Sequence, residues 1–393
     1  MQGDALEREE TSLAQLLKCE TGMPNPPETL TIQSAVLGQE RRIYIQLPSG
    51  YDRSSRDYPM LFCLDGEWLF DLARSHATFY SGFQAMGATT PKMIVVGIEN
   101  LDRDPDYVPT SDRGDEPIFP TAGKADRFLE FLRDELFPLL EAHYRVSSSR
   151  TVVGWSFGGL CALHSALAMP CLFDAYLCIG PAVWWDDELV VKQFANASFD
   201  RPKRMVITLG ADEIDGPVHD STKKLLGQIE ANPIENLTVT HLEFEGVGHC
   251  DGIPPALSQG LPALFPGYRP LVEGDGFSLE EIESRYKELS VAWGFDVIPS
   301  FSVVKVSARM RREAGRPAQA LELLDWYLER EQETSLIHFH RGACLADLGQ
   351  SDAALDAYRT ALEVELCQPV PDGVYLRGIR ARIGQAEAAQ ESA

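Results

Sequence analysis

The chain is short of positive charge. Its 393 residues carry 35 Lys and Arg against 59 Asp and Glu, a formal net charge of −24, and the isoelectric point lies near 4.7. That balance repels phosphodiester backbones and anionic lipids, so neither nucleic acid nor a membrane is an expected partner. No apolar run is long enough to cross a bilayer. The opening residues, Met1 to Glu10, are acidic and lack the apolar stretch of a secretory signal, so the expected location is cytoplasmic. The eight cysteines (19, 63, 161, 171, 178, 250, 344, 367) are scattered, and no Cys-x-x-Cys spacing occurs. A zinc site or disulfide framework is therefore not expected, and no cofactor is called for. What is present is ordinary: 44% hydrophobic and 24% charged residues. The length allows one large domain and a smaller one.

The most informative stretch is Val152-Val153-Gly154-Trp155-Ser156-Phe157-Gly158-Gly159. An apolar strand signal, Arg150 to Val153, enters it, and a helix-period segment, Leu160 to Leu167, leaves it. Between them stands Gly-x-Ser-x-Gly, the sharp strand-to-helix turn that lifts a serine hydroxyl above a sheet. Side chains at 154 and 158 are expected to collide with neighbouring backbone. The helix aims its free N–H groups at Ser156, where an oxyanion would form. Ser156 is the candidate nucleophile.

A serine hydroxyl needs a base, and the base needs a third group to hold it. The chain order for such a fold is Ser, acid, His. That order disfavours His76 and His143; His164 points away on the following helix, and His338 and His340 fall in a helical C-terminal region. His241 reads as a strand side chain in Thr238 to Phe244, which leaves His219 and His249. His249 lies in the glycine-rich loop after that strand, at the sheet edge where such sites gather, and is the candidate base. The acid should follow the strand Arg204 to Gly210, where Asp212 and Glu213 compete and Asp215 is a third option. An offset of three residues from the strand-ending glycine, common in hydrolases of this fold, favours Glu213. The backbone amides of Phe157 and Glu67 are the expected oxyanion donors, with Gly66 letting the chain turn before Glu67.

Several spaced segments carry a wider resemblance: Leu64-Asp65-Gly66-Glu67; Val95 to Asn100 with Arg103 and Pro109; Phe128 to Leu132; Gly154 to Leu160; Pro181 to Asp186; and Gly248-His249. In these the chain resembles the esterase family of α/β hydrolases that includes enterochelin (siderophore) esterases, feruloyl esterases, S-formylglutathione hydrolases and mycolyltransferases. The likeness spans about residues 30 to 266. It implies a nucleophile, acid and base at Ser156, Glu213 and His249, and a second oxyanion donor at Glu67. One departure is Gly180-Pro181-Ala182, where many relatives have Ser-Pro-Ser, so no role for those serines carries over. An iron–siderophore complex is itself anionic, so an acidic enzyme would need a local basic patch to hold one.

The wider pattern predicts an N-terminal hairpin about Gly38, then strands near 58–64, 92–98, 150–155, 174–180, 204–209 and 237–244 alternating with helices. This is an α/β fold, a mostly parallel sheet covered on both faces. Apolar positions 128, 131, 132, 136, 139 and 140 predict a sheet-packing helix over Ala125–Tyr144. Residues 101 to 123 read as a long loop at the substrate mouth, with Arg103 and Tyr107 as contact candidates and an Arg–carboxylate pair as the alternative. Trp184 and Trp185 are placed to stack on an acyl or aromatic group, or to serve as core and lid prop. The domains expected are an extension over 1–28, the hydrolase over 29–270, and a small all-α region over 271–393. In that last region Ala308, Gly315 and Ala320 match Gly342, Gly349 and Ala354 at a spacing of 34, the tetratricopeptide period.

Three functions fit. The first is a serine esterase acting on a small-molecule ester through an acyl-enzyme. The second is an acyltransferase in which an alcohol replaces water. The third is a non-catalytic protein that binds a homodimer mate or protein partner through its helical repeats.

Overall fold

The computed structural model describes residues 26–82, 87–111, 117–213, 216–331, 334–367 and 371–391, without the side chains of 53, 213 and 389–391. Strands β1 (Glu28–Ser34) and β2 (Gln39–Gln46) form the expected antiparallel hairpin. They are followed by β3 (Tyr58–Cys63), α1 (Gly66–Tyr80), β4 (Ile94–Ile98) and a helical turn α2 (Arg103–Tyr107). Next come α3 (125–143), β5 (Val146–Trp155), α4 (Phe157–Ala168), β6 (Ala175–Ile179) and α5 (Trp185–Phe194). Then β7 (Lys203–Gly210), α6 (Pro217–Ala231), β8 (Leu237–Phe244) and a short helix α7 (253–263) complete the α/β portion.

The eight strands make one sheet in the order β1-β2-β4-β3-β5-β6-β7-β8. Strands β1, β2 and β4 pair antiparallel, and all other pairs are parallel. Strands β3 and β4 are buried at every residue, as their unbroken apolar sequences require of a sheet covered on both sides. Alternate side chains feed two cores. Phe62 and Val152 join the cluster under α3, α4 and α5. Leu61, Cys63 and Val153 join the cluster on the opposite face.

Helix α3 is continuous, but residues 132–136 form a wide turn of π type. The extra residue rotates the register. Phe137 becomes buried, Leu136 and Leu140 are buried as expected, and Leu139, expected in the core, is only half-buried. The segment 101–123 is also less loop-like than its composition suggests. Asp102 caps α2 by accepting from the Asp104 N–H, and Tyr107 is buried.

Among the described residues six helices follow: α8 (Leu279–Trp293), α9 (Phe301–Glu313), α10 (Pro317–Leu328), α11 (Ser335–Asp347), α12 (Ser351–Leu366) and α13 (Gly373–Glu391). The starts of α9 and α11, and of α10 and α12, are each 34 residues apart (335 − 301, 351 − 317). Gly315 and Gly349, at φ of 77° and 74°, turn the chain between the helices of each pair. The second sheet-face core runs through α7 without a break into this region, from Leu257 and Phe265 to Trp293, Phe301, Leu323 and Ile337. The helices dock at the N-terminal ends of the parallel strands. Ser148, near the start of β5, donates to the Gly294 carbonyl (3.4 Å), and Arg204, near the start of β7, donates to that of Ala292 (3.3 Å). Arg56 and Lys92, just before β3 and β4, pair with Glu331.

Candidate active site

Ser156 sits at the opposite end of the sheet, between the last residue of β5 and the first of α4. Its backbone has φ 58° and ψ −115°, a region that costs a non-glycine residue about 1–3 kcal/mol and persists only where the surroundings enforce it. They do so here. The Ser156 N–H donates to the Ile179 carbonyl (2.9 Å), and its carbonyl accepts from Ala182 (3.0 Å) and Leu160 (2.9 Å). A Cβ at Gly154 would stand 2.2 Å from the Gly158 carbonyl oxygen, so the first elbow glycine is sterically required. At Gly158 the expectation is corrected: the nearest atom is the Asp65 carboxylate (3.2 Å), not backbone. Phe157 is the first residue of α4, so its N–H has no acceptor within the helix.

His249 is half-buried on the loop after β8. Two contacts bring this loop to the elbow and to the candidate acid. The Trp155 indole N–H donates to the His249 carbonyl (2.9 Å), with the two rings 5.0 Å apart. The Asp212 N–H donates to the Val247 carbonyl (3.1 Å). The Gly248 N–H is held by Asp251 Oδ1 at 2.8 Å. Asp212 is exposed; the backbone of Glu213 closes the same turn, and its side chain and all of Asp215 lie outside the described residues. Other histidines go elsewhere: His164 Nε2 meets Asp126 (2.7 Å), and His241 Nδ1 meets the Ile207 carbonyl (3.1 Å).

On the other side of the elbow, Glu67 is the second residue of α1, ahead of its first intrahelical bonds from Trp68 and Leu69 to the Asp65 carbonyl. The turn before it is made by Asp65 at φ 52°, not by Gly66. Glycine at 66 is needed for room, since a Cβ there would stand 2.8 Å from the Ile98 backbone. The Glu67 carboxylate accepts from the Asn100 N–H (3.0 Å). Burial raises its pKa, while the Asn100 and Glu67 amides pull it back.

Arg103 reaches this point from α2. Its Nε and Nη2 pair with Asp65 at 2.9 and 3.1 Å. Burial raises the Asp65 pKa, opposed by Arg103 and Asn100. Tyr107 was a contact candidate in the sequence; it is instead 1% exposed, and its hydroxyl accepts from the Asp65 N–H (2.9 Å). Trp185 is likewise buried under Phe119 and Phe157, with its N–H donated to Thr110 (2.9 Å), whereas Trp184 stays half-exposed against Phe157. Trp68 and Trp155 are rim aromatics that sequence reasoning missed. Trp68 is exposed at the start of α1, and its ring meets Trp155 edge-on at 6.2 Å. The apolar period of α1 could have flagged Trp68 as lying off its buried face. Two clefts, of about 580 and 630 Å³, lie elsewhere and involve neither Ser156 nor His249.

An eight-stranded, mostly parallel sheet bearing a strained serine at a strand-to-helix elbow defines an α/β hydrolase. The model of the family described as "Putative esterase" matches residues 34–247, more than half of the chain, so the chain belongs to this family and is a carboxylic ester hydrolase. It is similar to the ferri-bacillibactin esterase BesA of Bacillus subtilis, 25% identical over 230 residues, covering 53% of this chain and 80% of that protein. It is also similar to the siderophore triacetylfusarinine C esterase of Aspergillus fumigatus, 26% identical over 171 residues, 36% of this chain and 59% of the relative. The crystal structure of an IroE-like serine hydrolase from Shewanella oneidensis is 26% identical with a TM-score of 0.67, over 76% of this chain and 98% of that one. An uncharacterised protein from Capnocytophaga ochracea shares the fold over 92% of this chain and 100% of its own, at 20% identity and a TM-score of 0.57. That coverage reaches into the helical region.

Proposed function

We propose that the protein is a serine esterase that cleaves siderophore-type esters through an acyl-enzyme, with Ser156 as nucleophile and His249 as base. The observation that carries this reading is the strained Ser156 at the head of α4, with the His249 loop bonded to its neighbour Trp155. In the first half-reaction Ser156 Oγ attacks the ester carbonyl carbon and His249 takes its proton. The carbonyl oxygen becomes an oxyanion facing the N–H groups of Phe157 and Glu67. Collapse breaks the ester C–O bond, and His249 returns the proton to the departing alcohol. Water, deprotonated by His249, then attacks the acyl carbon; the C–Oγ bond breaks, the acid leaves, and His249 returns the proton to Ser156 Oγ. Glu213 is assigned the orientation of the imidazole, at the turn that Asp212 joins to the His249 loop. Similarity to esterases of ferri-bacillibactin and triacetylfusarinine C supports the siderophore-type substrate class. The half-exposed Trp184 and the exposed Trp68 are rings available for an acyl or aromatic portion.

The helical region is read as a pair of tetratricopeptide-like repeats that stabilises the catalytic domain from the far end of the sheet. A serine-directed fluorophosphonate tests the central assignment. Wild-type protein should be labelled at Ser156 and should hydrolyse p-nitrophenyl esters. Ser156→Ala should lose labelling and lower kcat by about 10⁶ with the fold intact. Labelling that survives the substitution would move the nucleophile elsewhere.

A further inference from the structure

We infer that Arg103 is a positioning residue, clamping the two chain segments that present the oxyanion amides rather than contacting substrate. The inference rests on the catalytic reading of Ser156 and extends it. Arg103 Nη2 is shared: it donates to Asp65 Oδ2 (3.1 Å) and to the carbonyl of Trp155 (3.1 Å), the residue before Ser156. Its Nε donates to Asp65 Oδ1 (2.9 Å), which also accepts from Asn100 Nδ2 (3.0 Å). Four residues on in the same helical turn, the Tyr107 hydroxyl accepts from the Asp65 N–H (2.9 Å). Residues 103 and 107 of one turn thus hold Asp65 by both its carboxylate and its main chain.

Asp65 is fully buried, adopts φ 52°, and immediately precedes Gly66 and Glu67. Its Oδ2 lies against Gly158, on the first turn of α4. One carboxylate and one guanidinium therefore connect the segment bearing the Glu67 amide to the segment bearing Ser156 and the Phe157 amide. The guanidinium also packs against aromatic rings, 5.2 Å from the centres of both Trp68 and Trp155. The planar fork places Nε and Nη2 side by side for the carboxylate and leaves an Nη2 proton for the carbonyl; a lysine ammonium keeps the charge but not this geometry. Oxyanion donors act when their spacing is set before the charge develops, and this cluster is what sets it.

The test uses the full chain with Arg103→Lys and Arg103→Ala. The clamp predicts that Arg103→Lys lowers kcat about 100-fold, the scale of a lost oxyanion donor. KM should stay within about threefold, and the loss should be the same for p-nitrophenyl esters of short and long acyl chains. Fluorophosphonate labelling should slow in step, because the phosphoryl oxygen uses the same amides. Millimolar guanidinium should partly restore Arg103→Ala. Amide hydrogen exchange should rise in peptides covering 64–68 and 155–158 and remain unchanged in α8 to α12. A rise in KM that depends on the ester, with kcat, labelling and exchange unaltered, would make Arg103 a substrate contact and overturn the clamp. The exchange measurement does not depend on turnover. If wild-type Ser156 proved unreactive, the catalytic reading would fall while the exchange result still decided the clamp.

Discussion

Trp155 and His249, 94 residues apart, are joined by a hydrogen bond from the indole N–H to the histidine's own carbonyl (2.9 Å). The bond fixes the loop that carries the candidate base against the strand that carries the candidate nucleophile. Trp155→Phe keeps an aromatic ring, though a smaller one, and removes the donor. A hydrogen bond of this kind contributes roughly 0.5–1.5 kcal/mol, so kcat should fall about 2–10-fold. Steady-state kinetics on a p-nitrophenyl ester measures it, and unchanged kcat would show that the loop is held by other contacts.

The two carboxylates after β7 should separate by kinetics. Glu213→Gln is expected to lower kcat on the order of 10³–10⁴, the scale seen when a triad acid is neutralised, and Asp212→Asn by less than about tenfold. The Asp212 main chain already closes the turn onto Val247, which leaves its side chain exposed. The opposite ranking would give the role to Asp212.

Glu331 is the clearest polar link between the helical region and the sheet. It meets Arg56 at 2.6 Å and Lys92 at 2.9 Å, and its side chain is only 9% exposed. Removing a buried partner leaves the cations underpaired, so Glu331→Ala should destabilise by about 1–3 kcal/mol. Because these residues lie at the far end of the sheet from Ser156, kcat of the folded variant should be unchanged. Urea denaturation and esterase assays check the pair of outcomes. Truncation after Pro270 should be harsher, exposing Phe265, Tyr268 and their neighbours, which now pack on Trp293. Aggregation or early melting with some residual turnover is expected; a stable, soluble and inactive fragment would place part of the active site in the tail.

Stability should fall in mild acid through His340. Burial, followed by the charges of Lys305, Arg312 and Arg309, depresses its pKa to about 4. An unfolded histidine titrates near 6.5, so between those values the unfolded chain binds a proton that the native one refuses. Stability is therefore complete above about pH 6.5 and declines as pH falls towards 4, by about 3 kcal/mol in all. His340→Gln should flatten that decline. Urea midpoints at pH 7, 5.5 and 4.5 measure it, and parallel curves for the two proteins would exclude His340 as the source.

The elbow, the strands and the 34-residue helix spacing were legible in the sequence because each is local. A tight turn demands Gly154, buried strands demand unbroken apolar runs, and Gly315 and Gly349 stop helices where they stand. Side-chain roles were legible only in part. Arg103 and Tyr107 read as mouth residues from a polar loop, or Arg103 as half of an Arg–carboxylate pair whose partner the sequence did not name. The fold turned them inward onto Asp65, 38 and 42 positions earlier in the chain. One of Trp184 and Trp185 could be read as core and the other as a lid prop, and packing decided which, burying Trp185 and leaving Trp184 half-exposed. The docking of the last helices onto the strand starts includes Lys92 meeting Glu331 across 239 positions. Local stereochemistry is written residue by residue. Which polar group a buried charge meets depends on the whole chain's path, because only the folded core brings the partners together and removes the water between them.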